Sequence, residues 1–114
     1  MHEMSLIQNL LDIVDEYALI NGFDHVNTMR LSFGRMSCIE PKALTFAFDV
    51  LSKGTKAQGA ILEFDILPVS VYCFTCEKET KVETYPAPCP TCYGSDILLK
   101  AGTEELKFIE MDVE

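Results

Sequence analysis

The chain has 114 residues and 12.8 kDa, enough for one ordinary domain or two very small ones, and its 48% hydrophobic and 24% charged residues exclude a disordered or collagen-like polymer. Nine Lys and Arg against eighteen Asp and Glu give a formal net charge of −9, which repels phosphate backbones and anionic bilayers and so disfavours nucleic acid and membrane surfaces as partners. No run reaches the roughly 20 apolar residues that span a bilayer. Met1-His2-Glu3-Met4-Ser5 lacks the positive n-region of a signal peptide, so a cytoplasmic protein without membrane insertion is expected.

In chain order, Leu6, Ile7, Leu10, Leu11, Val14, Tyr17 and Ala18 recur at helical spacing, with Gln8, Asp12, Asp15 and Glu16 on the other side. Ser5-Leu6-Ile7-Gln8 reads as a capping box, and Gly22 supplies a stop at C′. Met29, Leu31 and Phe33 alternate with Thr28, Arg30 and Ser32 as a half-buried strand ending at Gly34. A second helix starts at Pro41 and ends before Gly54, with Leu44, Ala47, Phe48 and Leu51 as its buried stripe. Leu62, Phe64 and Ile66 alternate with Glu63 and Asp65 as another strand. From Cys73 to Tyr93 the chain has four cysteines, three prolines and little apolar periodicity, so this stretch needs a staple. Ile97–Leu99 and Leu106–Val113 read as closing strands joined through the Ala101-Gly102-Thr103 turn, and Glu104-Glu105 as a solvated face.

The expected fold is α+β: two helices packed on a small mixed β-sheet, with an inserted four-cysteine zinc-ribbon subdomain. The expected division is residues 1–68 plus 103–114 for the α+β domain and 69–102 for the ribbon.

Cys73-Phe74-Thr75-Cys76 and Cys89-Pro90-Thr91-Cys92 are two Cys-x-x-Cys pairs, and each lets two sulfurs of one tight turn face the same ion. Two such turns complete a tetrahedral sulfur shell of the kind structural zinc prefers, with no open position for catalysis. Iron of the rubredoxin type shares this tetrahedron and stays a competitor, and a thiol-disulfide enzyme is a remoter one. Cys38, in the Gly34–Pro41 connection, reads as a small, partly buried hydrophobe rather than a reactive thiol.

His2 adjoins the α-amine, and an amine, an imidazole and backbone amides within three residues can wrap Ni(II) or Cu(II) in a plane. The amine titrates near pKa ~7.7–8.0, and Glu3 adds a carboxylate. Residue chemistry alone still favours a frayed terminal histidine, and His25 reads as a solvated turn residue. The chain carries no G-x-S-x-G, Walker A or dinucleotide fingerprint and pairs no carboxylates for acid–base work, so a non-enzyme is expected.

The opening Met1-His2-Glu3, the Gly34–Leu44 segment, the Phe46-Ala47-Phe48 helix, the Lys53-Gly54-Thr55 turn, the paired knuckles and the closing Leu106–Glu110 resemble the HypA/HybF family of hydrogenase nickel-incorporation proteins. The resemblance implies a nickel metallochaperone with no catalytic residues. It implies Ni(II) as cargo at His2, with the Met1 amine and Glu3 contributing, and structural Zn(II) on Cys73, Cys76, Cys89 and Cys92. It implies delivery, with a HypB-type GTPase, to the large-subunit precursor of NiFe-hydrogenase, and urease-maturation proteins as further candidate partners. Many members carry Gly where this chain has Cys38, and Gly or His where it has Tyr93, so a nickel site needing a second imidazole must recruit His25 or another molecule. The competing class is a zinc-ribbon protein–protein adaptor without nickel transfer.

Overall fold

The computed structural model describes residues 2–114, except the side chain of His2. The elements run α1 (His2–Asn21), β1 (Val26–Gly34), α2 (Pro41–Leu51), β2 (Ile61–Leu67), β3 (Val69–Cys73), β4 (Lys78–Val82), β5 (Ile97–Ala101) and β6 (Lys107–Val113). They form two three-stranded sheets, ordered β2-β1-β6 and β4-β3-β5. The chain divides into two compact units: one runs through Ser32, Ile39–Asp65 and Leu106–Glu114, the other comprises Phe33–Cys38 and Ile66–Glu105.

In the first unit α1 packs against α2, and the core takes the stripe that the periodicity foretells except for Tyr17, which stays exposed. Ile7, Leu10, Leu11, Val14 and Ala18 come from α1, Leu44, Ala47 and Phe48 from α2, and Val26, Met29 and Leu31 from β1. Burying each large side chain stabilises by about 1.5–3 kcal/mol, which is the main force holding helices to sheet. The last strand does return to this sheet: β6 runs antiparallel to β1, from Val26 opposite Val113 to Ser32 opposite Lys107. On β2 the alternation is realised for Leu62 and Phe64, which pack on the core, whereas Ile66 is largely exposed.

The helix ends show why the boundaries fall where they do. Glu40 caps α2, its carboxylate accepting from the Lys42 amide at 3.1 Å, and Pro41 occupies the first turn, where no N–H is needed. α1 stops at Gly22, whose φ of 74° and N–H to the Ala18 carbonyl (2.8 Å) form a left-handed cap. Its start differs from the capping box expected at Ser5: α1 already runs from His2, and Ser5 sits inside it, exposed. Met and Glu are good helix formers and nothing before Ser5 breaks the helix, so it continues past the cap-like residues.

The second unit holds two strands that hydropathy did not reveal. β3 contributes buried Val69 and Val71, but its alternation is five residues long and runs straight into the first cysteine turn. β4, Lys78-Glu79-Thr80-Lys81-Val82, has almost no apolar signal and is held by its pairing with β3, from Val69 opposite Val82 to Cys73 opposite Lys78. β5 pairs on the other side of β3. The strap Phe33–Cys38 is stitched to this unit by backbone bonds: Gly34 N–H to Glu104 O (2.9 Å), Arg35 N–H to Leu67 O (2.9 Å) and Met36 N–H to Gly102 O (2.7 Å). A Cβ on Gly34 would overlap the Gly102 carbonyl, so the approach requires glycine. Glu104 is no solvated residue; its carboxylate accepts from the Gly102 amide at 2.8 Å and fixes that turn.

Candidate metal centre

β3 ends on Cys73, and the chain folds back through the first knuckle into β4; the second knuckle lies in the segment before β5. The two turns are built alike. In the first, the Glu77 N–H bonds to the Cys73 carbonyl at 2.8 Å; in the second, the Tyr93 N–H bonds to the Cys89 carbonyl, also at 2.8 Å. Glu77 (φ 56°) and Tyr93 (φ 58°), each the residue after the second cysteine of its pair, adopt the left-handed conformation that closes the turn. Amides then point at sulfur, as in the 3.4 Å contact from Cys76 N–H to Cys73 Sγ. The second knuckle is braced by Cys89 N–H to Gly94 O (2.9 Å), and Phe74 N–H bonds to Asp96 O at 3.0 Å.

This geometry brings all four cysteine sulfurs within 4.8 Å of one another. Cys73 and Cys92 stand 3.6 Å apart and Cys76 and Cys89 3.9 Å, far beyond the about 2.05 Å of a disulfide. Zinc–sulfur bonds of about 2.3 Å in a tetrahedron place sulfurs about 3.8 Å apart, close to these two separations, so the donor set suits the ion. Cys73 and Cys89 are buried, Cys76 is half-buried and Cys92 exposed.

The electrostatics of the four thiols are those of a site that wants a cation. The hydrogen bond with Cys92, followed by burial, pushes the Cys76 thiol up to about 12. The amides of Cys92 and Thr91 hold Cys89 down at about 6, so this sulfur favours the thiolate at neutral pH. Four sulfurs this close cannot all ionise alone; a divalent ion removes the repulsion and takes the remaining protons' place.

Met1 and the His2 side chain fall outside the described residues; Glu3 is half-buried in the first turn of α1. His25 is half-buried rather than solvated, its N–H bonded to the Glu114 carbonyl (3.1 Å) and its carbonyl to the Glu114 N–H (2.9 Å). Cys38 is exposed, not a partly buried hydrophobe, because its φ of 67° turns the chain toward α2 and directs the side chain outward.

A family model described as hydrogenase/urease nickel incorporation, metallochaperone, HypA matches residues 1–113. The chain belongs to the HypA family. Proteins named hydrogenase maturation factor HypA match it end to end: that of Syntrophus aciditrophicus is 47% identical over 114 residues, covering 100% of both chains. Those of Actinobacillus succinogenes (42%, 100% of both chains) and Paracoccus denitrificans (40%, 99% of both) follow. The fold is shared with the solution structure of the Ni metallochaperone HypA from Helicobacter pylori, at TM-score 0.64 and 18% identity over 97% of this chain and 96% of that one. A further solution structure titled HypA protein gives 0.71 and 20% over 100% and 97%.

Within the HypA family frame, Cys38 and Tyr93 both hold left-handed backbone, the conformation glycine adopts most easily. Sequence reasoning passed over Glu77 and Tyr93 as structural parts of the knuckles. The available signal was position: the residue after each Cys-x-x-Cys must close a turn whose carbonyls and amides are already committed.

Proposed function

We propose that this chain is a nickel metallochaperone that carries Ni(II) at its N-terminus and, with a HypB-type GTPase, delivers it in the cytoplasm to the large-subunit precursor of NiFe-hydrogenase. The observation that carries the reading is Met1-His2-Glu3 at the head of a chain whose whole length matches a nickel-incorporation family. His2 is the principal ligand, with the Met1 amine and Glu3 contributing. α1 begins at His2, and the first N–H groups of a helix have no intrahelical partners, so amides there can turn to a metal without breaking the ladder. The chain catalyses no reaction of its own; it holds the ion and yields it to a competing set of ligands. Cys73, Cys76, Cys89 and Cys92 hold Zn(II), which closes the ribbon and supplies shape.

A terminal nickel site makes a direct demand on the terminus. Nickel titration of tag-free, zinc-loaded protein should give one equivalent bound, His2→Ala should abolish it, and one extra N-terminal Gly should do the same, while zinc content and helical signal stay unchanged. Equal binding by the native and extended forms would place the ligands elsewhere and overturn the reading. No binding by either would leave the zinc-ribbon adaptor.

A further inference from the structure

α2 buries Leu44, Ala47 and Phe48 and turns Lys42, Phe46, Asp49 and Val50 outward. Phe46 is 67% exposed, so its ring forgoes the stabilisation that burial would give. Beside it lies a shallow hollow of about 340 Å³, lined by Pro41, Lys42, Thr45, Phe46 and Asp49. Lys42, Thr45, Phe46 and Asp49 stand at i, i+3, i+4 and i+7, the four corners of the hole that receives a side chain when two helices pack. Among the described residues no side chain fills it.

The charges around the hole select its occupant. Lys42 marks its N-terminal corner and Asp49 its C-terminal corner, and neither has an ion pair among the described residues. Glu40 is near Lys42 in sequence, but its carboxylate is turned to the Lys42 amide as the cap of α2. A second α2 laid antiparallel brings its own Asp49 to Lys42 and its own Lys42 to Asp49. Laid parallel, it would set like charges together. Lys42 lies four residues before Phe46 and Asp49 three after, so one two-fold axis beside Phe46 satisfies both pairs and points each ring at the facing hole. The rest of so acidic a chain repels its copies: the outer face of α1 shows Asp12, Asp15 and Glu16, and α1 has no Lys or Arg. α2, with one Lys and one Asp, is neutral. Charges more than about 8 Å apart are largely screened at physiological salt, so pairs in contact act while remote acids are damped.

From this we propose that α2 is the contact face of a symmetric dimer, two copies of the helix packed antiparallel with each Phe46 in the hole of the other. Val50, one turn further along, extends the apolar strip. The helix has 11 residues and runs about 16 Å, so the contact buries less than the about 1,200 Å² of a stable complex. The dimer is therefore weak and exchanges freely with the monomer. Its contact lies within the first unit and does not depend on whether His2 takes nickel.

The test is a dilution series of zinc-loaded, ¹⁵N-labelled full chain from millimolar to micromolar concentration, with sedimentation measured in parallel. Mass should rise toward two copies at the concentrated end, and the amides of Lys42–Val50 should shift with it. Lys42→Glu and Asp49→Lys should each weaken self-association roughly tenfold. An equimolar mixture of these two variants should associate again, because each offers the charges that the other lacks. Phe46→Ser should weaken the dimer with the helical signal unchanged, since this ring contributes nothing to the core. A monomer at every concentration would leave the hole to some other protein and overturn the proposal. Shifts confined to α1 or to a strand edge, or a mixture that associates no better than its separate variants, would overturn it as well.

Discussion

The first unit closes around side chains from two helices and a sheet, with Ile7, Met29, Leu31 and Leu44 fully buried. In the second unit the buried apolar side chains among the described residues are Phe33, Val69, Val71, Cys73 and Cys89, and two of those five belong to the four-cysteine cluster. A segment that small cannot exclude enough apolar surface from water to offset its ordering entropy, whereas one tetrathiolate ion can. One half of the chain is therefore specified by hydropathy, while the other centres on a four-cysteine cluster that could hold an ion, so the two halves should fail under different insults.

The sharpest separation comes from the ligands. Cys76→Ala, or a strong chelator, should remove a binding contribution on the order of 10 kcal/mol and collapse the dispersed amide resonances of 66–105, while the helical circular dichroism of the first unit persists. Joint loss of both would break the comparison. Acid should act in the same direction. Cys76, pushed up to about 12, must shed a proton to bind, so zinc affinity falls as pH drops through neutrality. Below about 6 Cys89 protonates as well, and the fall steepens.

The converse variant is Phe48→Ala in α2, whose side chain is 1% exposed. Loss of its transfer energy plus the cavity should cost about 3–5 kcal/mol, read as a lower thermal midpoint of the helical signal at unchanged zinc stoichiometry. Zinc loss at the same temperature would show the units to be one cooperative block.

The smallest effect belongs to Arg30, which reaches Asp65 at 2.9 Å and Glu63 at 3.0 Å from β1 to β2. All three side chains are more than a third exposed, so Arg30→Gln should cost under about 1 kcal/mol and the difference should vanish in high salt. A larger, salt-resistant loss in denaturant titration would mean that this sheet face is held by charge rather than by its core.

Legibility in the sequence followed the same division. α1, β1 and α2 were readable because burial writes a period into a helix or strand, and Leu44, Ala47 and Phe48 stand where that period puts them. The four-cysteine cluster was readable because two Cys-x-x-Cys pairs leave few other uses for their sulfurs. β4 was hidden because it is held by backbone pairing to β3 and has no buried side chain to show. Cys38 was misread because burial propensity says nothing of a residue held at positive φ in a turn. Ser5 misled as a cap because a local motif yields wherever the helix can continue.

The strap at Phe33–Cys38 bears on how such a ribbon could be moved between proteins. A fragment spanning 66–105 carries all four cysteines but leaves behind the amides of Gly34, Arg35 and Met36, which occupy the carbonyls of Glu104, Leu67 and Gly102. Those acceptors would be stranded in any graft made by a single cut-and-paste of contiguous sequence. The transplantable module is two pieces of chain, and a host must supply both, in register, or rebuild the missing ladder.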